Sequence, residues 1–132
     1  IRTLPFQDET YVRRQLDQAF DGIQGLEYEI DYMSVPNSSD FETELTESIR
    51  NAQRAAIGRD DIQWIPAISN GFTDSRFTRD LGIITYGFTG SHPDDDPMLA
   101  RAHGTDESVG IASLISGTRS MLALAYDLCG AK

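Results

Sequence analysis

The 132-residue chain is short of several things, and each shortage argues against a class of protein. Its one cysteine, Cys129, allows neither an internal disulfide framework nor a cysteine-only zinc site. A single thiol leaves the compartment open, since periplasmic enzymes also lack disulfides at times. The setting expected here is the cytoplasm. Basic charge is scarce: Lys132 is the only lysine, and 11 Lys+Arg stand against 21 Asp+Glu, for a net charge of −10. A nucleic-acid-binding module needs a basic face and an anionic-membrane binder a basic patch, so this balance argues for no nucleic acid and no membrane partner. No apolar run approaches the ~20 residues of a membrane span. No signal peptide is apparent either. The chain opens on Ile1 rather than on Met, which predicts a missing N-terminal part of its own chain.

What is present suffices for a core. Apolar residues make up 39% of the chain, so wholesale disorder is not expected. Ile1–Leu4 reads as a short strand closed by Pro5. Asp8 is a natural N-cap for a helix with Val12, Leu16, Ala19, Phe20 and Ile23 at helical spacing, ended by Gly22 and Gly25. Leu26, Tyr28, Ile30 and Tyr32 then alternate with Glu27, Glu29 and Asp31, the pattern of a strand with one face buried. Residues 1–35 thus read β–α–β. The turn-rich stretch Val35-Pro36-Asn37-Ser38-Ser39-Asp40 marks a boundary. Beyond it, Phe41, Leu45, Ile49, Ala52 and Ala56 form one helical face stopped by Gly58. Ile62–Ile68 reads as an edge strand broken by Pro66. A short helix capped by Thr73 runs through Leu81, and Ile83–Tyr86 reads as a buried strand. A long polar loop follows from Gly87 to Gly104, and a last helix spans about Ile111 to Leu128. Helices alternating with short apolar strands predict α/β layering.

Several polar segments can carry chemistry. His103 ends the long loop beside Gly104, with Asp106 and Glu107 next to it. Imidazole is a common zinc ligand, but a loop histidine is also an ordinary surface residue, and the two acids suit the approach to a helix. The glycine turn Gly71-Phe72-Thr73-Asp74-Ser75-Arg76-Phe77 leads into a helix. It either presents N–H groups to an anion or is a helix start and nothing more. Arg2 has the fork that grips a carboxylate, yet on an edge strand it also serves solubility. Arg76 faces either a ligand or a surface acid. His92 with Asp94, Asp95 and Asp96 reads as a solvated loop before it reads as a metal or calcium site, since EF-hand spacing is lacking. Cys129 reads as a buried structural thiol.

In order and spacing these segments resemble the C-terminal portion of the dinuclear zinc aminoacylase/carboxypeptidase family, which includes acetylornithine deacetylase, succinyl-diaminopimelate desuccinylase and glutamate carboxypeptidase-like peptidases. The carrying segments are Arg2-Thr3-Leu4-Pro5, Gly71-Phe72-Thr73-Asp74-Ser75-Arg76-Phe77, Gly82-Ile83, Gly87-Phe88 and His103-Gly104-Thr105-Asp106-Glu107, and they cover almost the whole chain. The resemblance implies residues 1–35 as the final β-α-β of an α+β lid or dimerisation domain. It implies 36–132 as the C-terminal part of a mixed-sheet α/β zinc-binding catalytic domain. His103 resembles a ligand of the second of two zinc ions, with cobalt or manganese as alternatives. Arg2 resembles the lid arginine that reads a substrate carboxylate, and Gly71 and Phe72 the backbone beside the scissile amide. Ser34, near the hinge, also matches a substrate contact. Asp74 and Arg76 resemble residues that shape the glycine turn, and Glu107 one that orients the histidine loop. Thr89 and Ser108 depart from the family pattern, where Gly or Pro and Arg are common; both bear on the substrate class.

The implied enzyme is a metallopeptidase or deacylase. It hydrolyses the amide of an N-acyl amino acid or small peptide with a free carboxylate by metal-activated water, as a homodimer through the lid. The remaining ligands and the catalytic base belong upstream, so this chain alone is expected to be inactive and to hold zinc weakly or not at all. The alternative is a non-catalytic truncated homologue that serves as a dimerisation or binding module.

Overall fold

A computed structural model describes residues 1–31, 35–68, 71 and 73–130. Among these the regular structure is all helical: four α-helices and one 3-10 turn, with no β-strand. The α/β and lid β-α-β architectures expected above are therefore corrected to an all-helical one.

Three helices sit where periodicity places them; the short one expected behind a Thr73 cap instead has Asp74 at its N-cap. Helix α1 is Glu9–Phe20, and the Asp8 carboxylate accepts the Tyr11 N–H at 2.9 Å. Helix α2 is Glu44–Ile57. Thr43 and Thr46 cap it reciprocally, each hydroxyl accepting the other's backbone N–H, and Gly58 closes it. Helix α3 is the short Ser75–Asp80, and α4 is Ile111–Cys129. The 3-10 turn Pro97–Ala100 lies inside the stretch read as a plain loop. No helix among the described residues is long and apolar enough to cross a membrane.

The absent strands have a local explanation. A strand needs a partner ladder for its backbone groups, and these segments find other partners. In Ile83–Tyr86, the Thr85 N–H donates to the Ser39 hydroxyl at 3.0 Å, and the Thr85 carbonyl accepts from the Arg79 guanidinium at 2.7 Å. In the alternating segment from Leu26, Tyr28 lies on Phe20 of α1 with ring centroids 5.7 Å apart, and its hydroxyl bonds the Asp17 carboxylate. The alternation reports which side meets an apolar neighbour, and a helix fills that place as well as a sheet does. Ile1–Leu4 and Ile62–Ile68 likewise carry no ladder.

The chain forms two compact units, Ile1–Asp40 with Ile68–Tyr86, and Phe41–Ala67 with Gly87–Lys132. The first holds α1 and α3. In the second, α2 packs against α4 through small and polar residues. Ile49 and Ala52 are buried on α2, and Ser116, Gly117 and Ser120 on α4. Gln53, 3% exposed, accepts from the Ser120 hydroxyl and donates to the Ser91 carbonyl at 2.9 Å. The Ser116 hydroxyl donates to the Gly90 carbonyl at 2.7 Å. The backbones meet where side chains are missing: a Cβ on Gly90 would lie 2.6 Å from the Gly117 Cα, and Gly90 has φ +67°.

Buried apolar residues are few: among the described residues Val12 is buried in the first unit and Ile49 and Ala52 in the second, whereas Ile111, Leu122 and Tyr126 of α4 are 77, 72 and 80% exposed. Cys129, expected as a buried thiol, is exposed.

The Gly90–Gly117 contact is testable. Gly90→Ala adds both a clash and a left-handed alanine, and it should lower stability by about 2 kcal/mol or more in urea unfolding. Gly87→Ala, where a Cβ meets nothing within 4 Å, should cause no loss. Equal midpoints for both variants would show that the close approach does not matter.

Candidate functional site

The expected site residues fall into both units. Arg2, Gly71, Asp74 and Arg76 belong to the first, and His103 and Glu107 to the second. Ser34 and Phe72 lie outside the described residues.

Arg2 is exposed and borders a small hollow of about 230 Å³ beside α1, with Gln7, Tyr11 and Leu16. A larger hollow of about 640 Å³ runs along the charged side of α1 past Glu9, Arg13 and Asp17; none of the expected residues lines it. It is open, and its arginines and acids already face one another: Arg13 pairs with Glu9 at 2.8 Å.

The glycine turn uses its own donors. The Ser75 N–H donates to the Thr73 hydroxyl at 3.2 Å, the Arg76 N–H to the Thr73 carbonyl at 3.3 Å, and the Phe77 N–H to the Asp74 carbonyl at 2.9 Å. Asp74 takes the N-cap position of α3 without a side-chain cap bond. The Arg76 guanidinium lies 4.5 Å from the centre of the Phe77 ring, and the Arg76 carbonyl accepts from Asn37 at 2.8 Å.

The aspartates of the polar loop diverge. The Asp94 N–H donates to the His92 Nδ1 at 3.2 Å. Asp96 caps the 3-10 turn by accepting the Met98 N–H at 2.9 Å. Asp95 caps α4. The N-cap of α4 is Gly110, which has no side chain to offer, and Asp95 reaches in from outside to accept the Ser113 N–H at 2.6 Å. A Cβ on Gly110 would lie 2.0 Å from the Asp95 Oδ2, so only glycine leaves room for this carboxylate. The His92 N–H donates to the Ser113 hydroxyl at 2.9 Å, a second tie to the same helix start. Among the described residues no three His, Cys, Asp or Glu side chains come together as a group able to hold a metal.

The His103 loop is rich in left-handed backbone. Arg101, His103 and Asp106 have φ of 47°, 64° and 58°, three non-glycine residues in the left-handed region within six positions. Each such residue costs about 1–2 kcal/mol against its ordinary conformation, so the surrounding bonds must hold it. They do so at close range. The Gly104 N–H donates to the Arg101 carbonyl at 2.7 Å. The Ser108 N–H donates to the Ala100 carbonyl at 3.0 Å, and the Ser108 hydroxyl to the Leu99 carbonyl at 3.0 Å. His103 is exposed at the tip, and Glu107 is exposed beside the closing residue. No metal-ligand set is assembled around His103 among the described residues.

Ser108 and Asp95 are the working residues that sequence reasoning passed over. Ser108 had one signal, its departure from the family pattern, and Asp95 was hidden in a run of three aspartates. Comparison with protein-family models, with curated proteins and with solved structures finds no match to this chain.

Hydrogen bonding from Ser113, through its hydroxyl and then its backbone N–H, holds the Asp95 carboxyl below the usual carboxylate range. A depressed folded value contributes stability above the unfolded pKa of about 3.9, and that contribution is lost as pH falls through the folded value. Asp95→Ala should therefore weaken the protein at neutral pH and flatten its loss of stability as the pH falls through the carboxylate range, followed by circular dichroism. A variant with the wild-type acid limb would remove this role from Asp95.

Proposed function

We propose that this chain is a segment of a zinc-dependent amidohydrolase and that His103 supplies one of the metal ligands. The observation that carries the reading is the His103 loop. An exposed imidazole stands at the tip of a turn held in three left-handed conformations and closed by its own hydrogen bonds. Strain maintained in this way is common where a side chain must be presented in one geometry. The order of the segments from Arg2 to Glu107 supports it through the resemblance; the sheet that the resemblance also implies is not found among the described residues.

In the complete protein, a zinc ion held in part by His103, or cobalt or manganese in its place, would supply Lewis-acid activation of an amide carbonyl and of a bound water. His103 contributes a ring nitrogen. Arg2 offers its guanidinium fork to the free carboxylate of an N-acyl amino acid or small peptide. The remaining ligands and the base come from outside this chain, so the chain alone does not hydrolyse amides. The complete enzyme is, on this reading, a cytoplasmic homodimer.

A second reading, a non-catalytic binding or dimerisation module, draws on the apolar residues that α4 exposes, among them Ile111, Leu122 and Tyr126. Exposed apolar surface of this kind marks contact with another body.

Metal analysis of the complete native protein separates the two. The hydrolase reading expects two zinc equivalents in the wild type and one in His103→Ala. Two equivalents retained in His103→Ala would refute the ligand assignment, and no zinc in the wild type would favour the binding module.

A further inference from the structure

Helix α4 has its faces reversed. Toward α2 and the Gly90 backbone it turns small and polar residues. Ser116, Gly117 and Ser120 are buried there, and the Asp127 carboxylate accepts from the Ser48 hydroxyl of α2 at 2.7 Å. Its large apolar residues are left to solvent. Ile111, Ile115, Leu122 and Tyr126 are exposed, and with Thr118 and Cys129 they follow one another at spacings of three and four, along a single row. Leu114 and Met121 flank the row and are exposed as well. The helix has two charged residues, Arg119 and Asp127, and neither stands in the row. A surface helix turns polar residues to water, and one that is apolar on the side opposite its packing belongs in an interior. Helix α4 therefore has one of its two covers in place.

The exposed surface gives the size of the second cover. Two folded bodies with the masses of the two units would together expose about 8,300 Å², by the scaling of surface with mass. The chain exposes 10514 Å². The surplus, about 2,200 Å², is well over twice the ~800 Å² per partner of a standard interface and reaches the range of obligate ones. We propose that the row from Ile111 to Cys129 is covered, in the complete protein, by the part of the same polypeptide that lies N-terminal to Ile1, through an apolar surface without charge. The proposal rests on the reading of this chain as a segment of a longer enzyme, and on no metal. Two observations favour this occupant over a second copy of the chain. A two-fold contact brings together two bodies of net charge −10 each. A pairing of α4 with itself also runs along one helix about 28 Å long and supplies a standard interface at most, less than half of the surplus.

The test reads this face in the complete native protein in two ways. The first is the alkylation rate of Cys129 by iodoacetamide, in native buffer and in urea, resolved by peptide mass spectrometry. The thiol is exposed in this chain, so a cover over the row should slow it about tenfold or more relative to urea. Equal rates show an open face and overturn the proposal. The second places photoreactive benzoylphenylalanine at Tyr126 and, separately, at Ile111, both exposed and at opposite ends of the row. Illumination should give a product of single-chain mass in which α4 is linked to a peptide preceding Ile1. A product of doubled mass with α4 linked to another copy, a link to a different protein, or a link confined to residues 1–132 names another cover and overturns the proposal. The thiol is read in the unaltered protein, so an open face is detected whether or not either variant folds. Neither readout involves zinc, so a failure here is separate from a failure of the hydrolase reading in metal analysis.

Discussion

The second unit depends on one close approach, that of the Thr89–Ser91 backbone to α4 at Gly117. Two glycines meet there with no room for a Cβ on either: a Cβ on Gly117 would lie 2.9 Å from the Thr89 carbonyl. This contact lets the Ser116 hydroxyl reach the Gly90 carbonyl and brings Gln53 of α2 to both Ser120 and Ser91. With few large apolar side chains in the joint, geometry replaces area. Buried polar groups are tolerable only when each is bonded, and a fully bonded network fixes one arrangement where loose apolar packing would allow several.

The loop that follows inherits that anchoring. It leaves the joint at Ser91 and is tied again to α4 at Ser113, through His92 one residue on and Asp95 four residues on. It then closes on itself at Ser108 and enters α4 at Ile111. The His103 turn is thus held between two attachments to the same helix. That arrangement is how three left-handed residues persist on an exposed loop: strain at the tip is offset by hydrogen bonds at its base.

The helices were legible because their signals are local. Asp8 and Gly58 act within one turn of the residues they cap, and the apolar spacing of Val12–Phe20 and Leu45–Ala56 needs no distant partner to be read. The strands were misread because a strand is a property of two segments, and alternation in one of them says nothing about the other. Tyr28 found α1, and Thr85 found the Ser39 and Arg79 side chains. The site was legible in its residue types only. His103 could be singled out by its neighbours, whereas the Ser108 closure, the Asp95 cap and the self-bonded turn at Thr73 depend on backbone geometry that composition does not encode. The three consecutive aspartates carry the same lesson, since they read as one solvated loop and the backbone gives each a separate task.

The central claim is that His103 meets a metal. The most direct measurement is an anomalous difference map at the zinc absorption edge from crystals of the complete native protein. The account predicts a zinc peak about 2.0–2.1 Å from a ring nitrogen of His103, the ordinary zinc–imidazole distance. A zinc-loaded crystal with its peaks elsewhere and an unligated His103 would contradict it.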